Sequence, residues 1–342
     1  MSNQRLTVRG SGLVTSVGLS APAACAAIRS KLTNPSETRF IDRAGERIMS
    51  HAVPLDRPLR GLAKLARMAT MVVEECLEDL PRDTWERIPI LLCVAERSRP
   101  GRLEGLEDRL MIEVCALLAG ARLSVDSRVI AQGRVSVALA LLQARQVLYG
   151  SPAPAVLIVA VDSLLTWPTL KVFEEQERLL TNRNSNGFIP GEAASAILVS
   201  RPVVGPHLEV VGLGFATEQA TIEKEEPLRG AGLSLAINQS LQDAGCEMHD
   251  IDFRITDISG EQYYFKEAAL ALSRTLKGRK EEFDIWHPAE CIGEVGSAIG
   301  PTMLAVAEAA GRKAYAPGPA MLVHAANDAG ERAAVVTRYV VS

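Results

Sequence analysis

Short apolar or β-branched runs recur along the chain at 6–14, 88–96, 155–164, 193–200, 207–216, 253–259, 320–326 and 333–341, and each predicts a β-strand. Helical patterns lie between them. The segment 103–120 puts Leu103, Leu106, Leu110, Val114 and Leu117 on one face, as a half-exposed helix does. In contrast, "GRVSVALALLQARQVLYG" (133–150) is apolar nearly all round, and such a helix belongs between layers rather than on a surface. The strand after it, 155–161, is apolar on both faces, as in a sheet covered on each side. A second pass follows: a strand ending at "DISGE", a helix over about 262–277, and a small-residue helix over 296–311 opened by "IGEVGSAIG". This order predicts an α/β protein of two similar halves, 1–205 and 206–342, meeting at "SRPVVGP" (200–206) and stacked as a five-layer αβαβα sandwich around buried helices.

Composition narrows the picture further. Hydrophobic residues make up 47% but aromatics only 4%, so Ala, Val, Leu and Ile must build the core, which suits close-packed α/β layers. With 37 basic and 41 acidic residues the net charge is −4, which gives no footprint for nucleic acid and no polybasic membrane patch. The N-terminal stretch lacks the apolar run of a signal peptide, and no apolar stretch reaches membrane-spanning length, so a cytoplasmic protein is expected. Six cysteines, at 25, 76, 93, 115, 246 and 291, show neither a CxxC pair nor a companion histidine spacing. They read as reduced core residues, with no metal site and no cofactor expected.

Several blocks resemble one family. "GFIPGEAASAILV" (187–199) resembles the GF-x-x-GEGA-hydrophobic block of β-ketoacyl synthases, in the thiolase superfamily. "VRGSGLVTSVG" (8–18) resembles their opening V-x-G-x-G-x-V-[ST]-x-x-G. "QSLQDAGCEMHDIDFRITDISG" (239–260), "CIGEVGSAIGP" (291–301) and "AANDAGERAAVV" (325–336) are similar to A-L-x-D-A-G…DID-x-[IV]-x-A-H-G, I-G-H-x-x-G-A-A-G and F-G-F-G-G-x-N-A-x-x-V. The blocks fall in family order over nearly the whole chain, and the resemblance implies the thiolase-like αβαβα fold.

The resemblance also implies a chemistry, decarboxylative Claisen condensation. A cysteine at the N-terminus of the buried helix takes an acyl group, and two histidines assist decarboxylation and bind the oxyanion. A helix N-terminus lowers a thiol pKa, and an imidazole donates hydrogen bonds without a fixed charge. Carried onto this chain, the cysteine position falls on Ile130, with Val129 the alternative. The A-H-G histidine is matched by Ser259, the I-G-H histidine by Glu294, and the lysine five residues before it by Ala289. An ionised carboxylate at 294 would repel an enolate or a tetrahedral oxyanion. As a structural group it should instead accept backbone amides or the Ser259 hydroxyl.

Other groups are candidates for a pocket. Val129, Gln132, Cys291 and His324 are expected near it, with Ser127 and Ser136, and a rewired site of Cys291, His287 and Glu294, near Ser259 and Glu261, is a rival arrangement. Gly187 and Gly191 allow close approach to the sheet, and Glu192 is placed to satisfy buried backbone amides. Arg57, Arg60, Lys64 and Arg67 recur at near-helical spacing, and in the family basic patches near the pocket entrance dock acyl carrier protein. The expectation is a non-catalytic β-ketoacyl synthase homologue acting as a binding or scaffold subunit. It would be a homodimer or a heterodimer with a synthase-like subunit, as a chain-length factor is, or an adaptor accompanying a bacterial secretion effector. The strand ending in "VDSLL" is expected to form the open edge where family dimers pair. The alternative is an active β-ketoacyl-ACP synthase with a rewired site.

Overall fold

The structure is a computed structural model, and it describes residues 4–118 and 124–341. The first half runs β1 (Leu6–Val14), α1 (Ala21–Arg29), β2 (Ser36–Ile41), β3 (Arg47–Ser50), α2 (Gly61–Leu77), β4 (Ile90–Val94), α3 (Leu110–Leu117), β5 (Arg128–Ala131), α4 (Ser136–Gly150), β6 (Val156–Ser163), α5 (Trp167–Glu175) and β7 (Glu192–Ser200). The second runs β8 (His207–Thr217), α6 (Ala231–Ala244), β9 (Phe253–Thr256), α7 (Gln262–Thr275), β10 (Ile285–Trp286), α8 (Ala289–Ile292), α9 (Ile299–Arg312), β11 (Ala320–Ala326) and β12 (Glu331–Val340).

Ten strands pair in the order β10-β9-β11-β12-β8-β1-β7-β6-β4-β5, with β2 and β3 as a separate hairpin. The two halves join at a short antiparallel ladder, from Leu6 opposite Val210 to Val8 opposite Leu208. Read outward from that junction, β1-β7-β6-β4-β5 and β8-β12-β11-β9-β10 follow one plan: first, fifth, fourth, second and third strand of each half. The layers follow from which strand faces are apolar. The outer face of the first half-sheet packs on α2 and α3, and that of the second on α6 and α7. Both inner faces close on α4 and α9, which share one core with them. These are the five layers the pattern predicts.

The buried helices need small residues. α9 is buried over nearly its whole length, and a Cβ on Gly300 would lie 2.5 Å from Val137 Cγ1 of α4. A glycine there lets the two central helices touch.

All eight predicted strands are present, some shorter than their apolar runs. The segment 103–120 differs. Its helix starts only at Leu110, after glycines with positive φ at 101 and 105, and Leu117 is 50% exposed rather than on the buried face. Residues 119–123 of that segment lie outside the described residues. Short β5 has too few residues to register as a periodic run. The "VDSLL" expectation is corrected too: β6 lies between β7 and β4, and the open edge of this half-sheet is β5.

Candidate functional site

Two corners face each other at the centre of the molecule. β5 ends at Ala131, and one 3₁₀ turn over 133–135 leads into α4; a matching turn over 296–298 leads into α9. Gly133 and Gly296 open these turns with φ of +53° and +54°. A Cβ on Gly133 would fall 2.1 Å from Glu96 Oε2, and one on Gly296 would fall 2.0 Å from Asp162 Oδ2. Each corner therefore requires glycine twice over, for its backbone conformation and for the carboxylate beside it.

Arg134, the second residue of the first turn, fills the space between the corners. Its guanidinium donates to Tyr264 Oη at 2.8 Å and Asp328 Oδ1 at 2.5 Å, and reaches Glu294 Oε2 at 3.4 Å. Asp257 Oδ2 lies 3.8 Å from its Nε. Asn327 ties the corner down, accepting the Arg134 backbone N–H at 3.0 Å and donating to the Gln132 carbonyl at 2.9 Å. Glu294 is held on three sides. It accepts the Ser259 hydroxyl at 2.9 Å, the Gly296 N–H at 2.9 Å, and Arg134. Its own backbone bridges to the "GFIPGE" loop, through Ile189 and Gly191 at 2.8 Å each.

Two more arginines close the cluster. Arg178 donates twice to Glu261, at 2.7 and 2.9 Å, and once to Asp328 at 2.7 Å, with its guanidinium among the rings of Phe173 and Phe188. Arg99 forms a two-point pair with Glu96 at 2.7 and 2.8 Å and reaches Asp162 at 3.3 Å. The space left among Glu96, Arg99, Arg134, Arg178, Glu294 and Asp328 is about 10 Å³, room for one water at most.

Six carboxylates surround three arginines, so the charges do not balance if all are ionised. Burial pushes the Asp257 carboxyl up to about 6 despite Arg134, and burial raises Asp162 and Glu261 as well. Asp328 goes the other way. Burial alone would raise it, but Arg134 and Arg178 hold it well below the usual carboxylate range. Among the described residues neither a thiol nor an imidazole lines the cavity.

The sequence candidates scatter. Ser259 and Glu294 meet as expected, and the carboxylate takes the structural contacts expected of it. Ile130 is corrected: it is a β5 residue buried in the central core, and the corner position belongs to Gly133. Val129 points to the opposite side of β5, against the core under α2. The side chain of Gln132 is exposed, and only its carbonyl takes part. Ala289 is a buried core residue of α8. The Cys291, His287 and Glu294 set is not assembled. The Cys291 thiol is buried beside the Ile28 carbonyl, 3.9 Å away, and burial pushes its pKa up to about 11. His287 pairs with Glu290 and packs on Phe265. His324 does not line the cavity; it sits on β11 beside Thr256. Ser127 accepts the Ile90 N–H, away from the cluster, and the Ser136 hydroxyl is buried without a partner. Glu192 accepts the Val53 N–H as expected, with the Ser163 hydroxyl and the ammonium of Lys64. Lys64 is thereby withdrawn from the basic stretch.

Solved structures carry the comparison. The chain covers 98% of itself and 99% of a type II polyketide synthase ketosynthase structure, solved with its acyl-carrier protein and a bound hexaketide, at a TM-score of 0.80 and 15% identity. It matches a ketosynthase in complex with its chain length factor from Xenorhabdus doucetiae at 0.76 and 12%, with 98% of each chain covered. It matches a β-ketoacyl synthase from Burkholderia phymatum at 0.72 and 14%, covering 98% and 99%. The chain has the thiolase-like fold of the ketosynthases. No family model matches its sequence, and no curated protein does. Within the ketosynthase fold, the central corner of this chain is occupied by a glycine, an arginine and their carboxylates.

Arg134, Asp328, Arg178 and Arg99 escaped sequence reasoning. Their signal was faint: Arg134 is a lone charge opening an apolar helix, and Asp328 is a single acidic residue in the closing block before Gly330. Neither shows its partners, which lie 64–194 positions away.

Proposed function

We propose that this chain is a non-catalytic ketosynthase-fold subunit that binds or scaffolds a partner. The carrying observation is the occupancy of the corner before α4, where Gly133 offers no side chain and the Arg134 guanidinium fills the space with its carboxylates. The proposed partner is a synthase-like subunit, as in the ketosynthase and chain length factor pairs of the same fold. The chain divides at 205/206, and no described helix is long and apolar enough to cross a membrane, in keeping with a cytoplasmic setting. An acyl carrier protein is a further partner of the proposal. Arg57 and Arg67, with Asp56 and Glu113, border a surface groove of about 680 Å³ between α2 and α3, which sets charges of both signs beside an apolar floor.

The test is mass spectrometry after incubation with acyl thioesters, together with co-purification against a complete ketosynthase. No adduct on peptide 124–145 and a stable complex are expected. A stable acyl adduct on that peptide, or condensation product from this chain alone, would overturn the proposal in favour of an active synthase.

A further inference from the structure

Among the described residues six arginines are buried: Arg99, Arg134, Arg145, Arg178, Arg254 and Arg332. Five of them carry a carboxylate partner, from Glu96 and Asp162 on Arg99 to Glu267 on Arg332. Arg254 has none. Among the described residues its guanidinium makes no ion pair, and its Nε is sealed from solvent without an acceptor. A buried charge with no counter-charge costs several kcal/mol, and this chain has met that cost at every other buried arginine.

The surroundings of Arg254 point one way. Phe253 and Ile255 of β9 face the central core, so Arg254 faces the outer layer. On the neighbouring parallel strand β11, Leu322 is its register partner, and His324, opposite Thr256, lies two residues along on the same face. The His324 Nε2 is also buried without a partner, while Nδ1 contacts Thr256 Oγ1 at 3.3 Å. Thr256 Oγ1 also donates to Asp257 Oδ1 at 3.3 Å, so towards the ring it accepts from Nδ1–H and leaves Nε2 an acceptor. Over the guanidinium lies Phe283, at 5.0 Å, and the Lys280 ammonium sits 4.8 Å from the same ring. Asp284, which pairs with β9 through its backbone carbonyl, is exposed and forms no ion pair with Arg254.

We infer that Arg254 is the base of an oxyanion-binding site on the outer face of β9 and β11, with Phe283 as its cover. The ligand class is a small phosphate or carboxylate, which a guanidinium binds through two parallel N–H donors. Burial and the nearby Arg254 charge hold the His324 pKa down to about 3, so the imidazole is neutral and the arginine is the cation that binds. The site lies on the outer face of the second half-sheet, apart from the corners of the first site.

The experiment is thermal unfolding of the full chain in increasing inorganic phosphate, against chloride at matched ionic strength, with acetate as a parallel arm. A saturable rise in Tm with phosphate or acetate is expected, because a ligand that binds only the folded state stabilises it by mass action. The arm that saturates at lower concentration identifies the oxyanion. Arg254→Met should weaken the apparent affinity at least tenfold. If Arg254→Met does not fold, Arg254→Lys serves instead, since it keeps a charge and loses the two-point fork. No saturable response in the parent chain, or an equal response in the Arg254 variant, would overturn the assignment.

Discussion

Glu294 shows how one carboxylate can be fixed by its neighbours rather than used. Its oxygens take a hydroxyl, a backbone N–H and a guanidinium, the contacts that hold a buried charge in place. Glu294→Gln keeps the shape and removes the charge from hydrogen bonds that contribute ~1.5–3 kcal/mol. Urea unfolding should show a loss of that order, and a variant as stable as the parent would mean that the carboxylate is not needed. Asp257 gives the pH dependence at this scale. Its folded pKa of about 6 is above the ordinary carboxylate value, so between about 6 and about 4 the folded state binds more protons than the unfolded chain. Its contribution to stability therefore rises as the pH falls through that window. Asp328, held low by Arg134 and Arg178, contributes with the opposite sign, and its stabilisation is lost only as the pH falls below the ordinary carboxylate range. Asp257→Asn should remove the gain between pH 6 and 4 in denaturant titrations at several pH values. An unchanged pH profile would show that another group carries it.

At the scale of elements, the two 3₁₀ corners and the helices they open set what the centre can hold. Gly133 combines a left-handed backbone with a Cβ position already taken by Glu96. Gly133→Ala should cost at least about 1–2 kcal/mol from the backbone alone, read as a lower Tm, with displacement of Glu96 adding to it. Replacing Ile130 with cysteine would set the thiol into the sheet rather than at the corner, because β5 pairs Ile130 with Cys93. The neighbouring block is tied to the second corner: Gly191 lies against the Ile292 carbonyl rather than against the sheet. The "GFIPGE" loop and the "IGEVG" corner, about a hundred residues apart, are joined by paired backbone hydrogen bonds.

For the whole molecule, the sheet ends at β5 on one side and β10 on the other, and an open strand edge is a template for a second chain. If the proposed partner pairs there, amide hydrogen exchange across 128–131 should slow in the complex, and the interface should exceed about 1,000 Å². Unchanged exchange in a verified complex would move the interface elsewhere. Much of this architecture was legible in the sequence. Alternation, all-round apolarity and the repeated order of runs determined the strands, the two buried helices and the five layers, because burial on one face or two leaves a periodic trace along the chain. The ordered blocks also pointed to Ser259 and Glu294, which the fold brings within 2.9 Å of each other. Tertiary structure alone decided the rest. Four-residue β5 is too short to leave a period, so only the sheet showed that Ile130 is a strand residue and β5, not β6, an edge. The pairings of Arg134 and Arg178, and the reach of Arg99 to Asp162, join residues far apart in the chain, and the lack of a partner at Arg254 shows only in the fold. A charge carries no periodicity of its own, so its partners become visible only once the fold has brought them together.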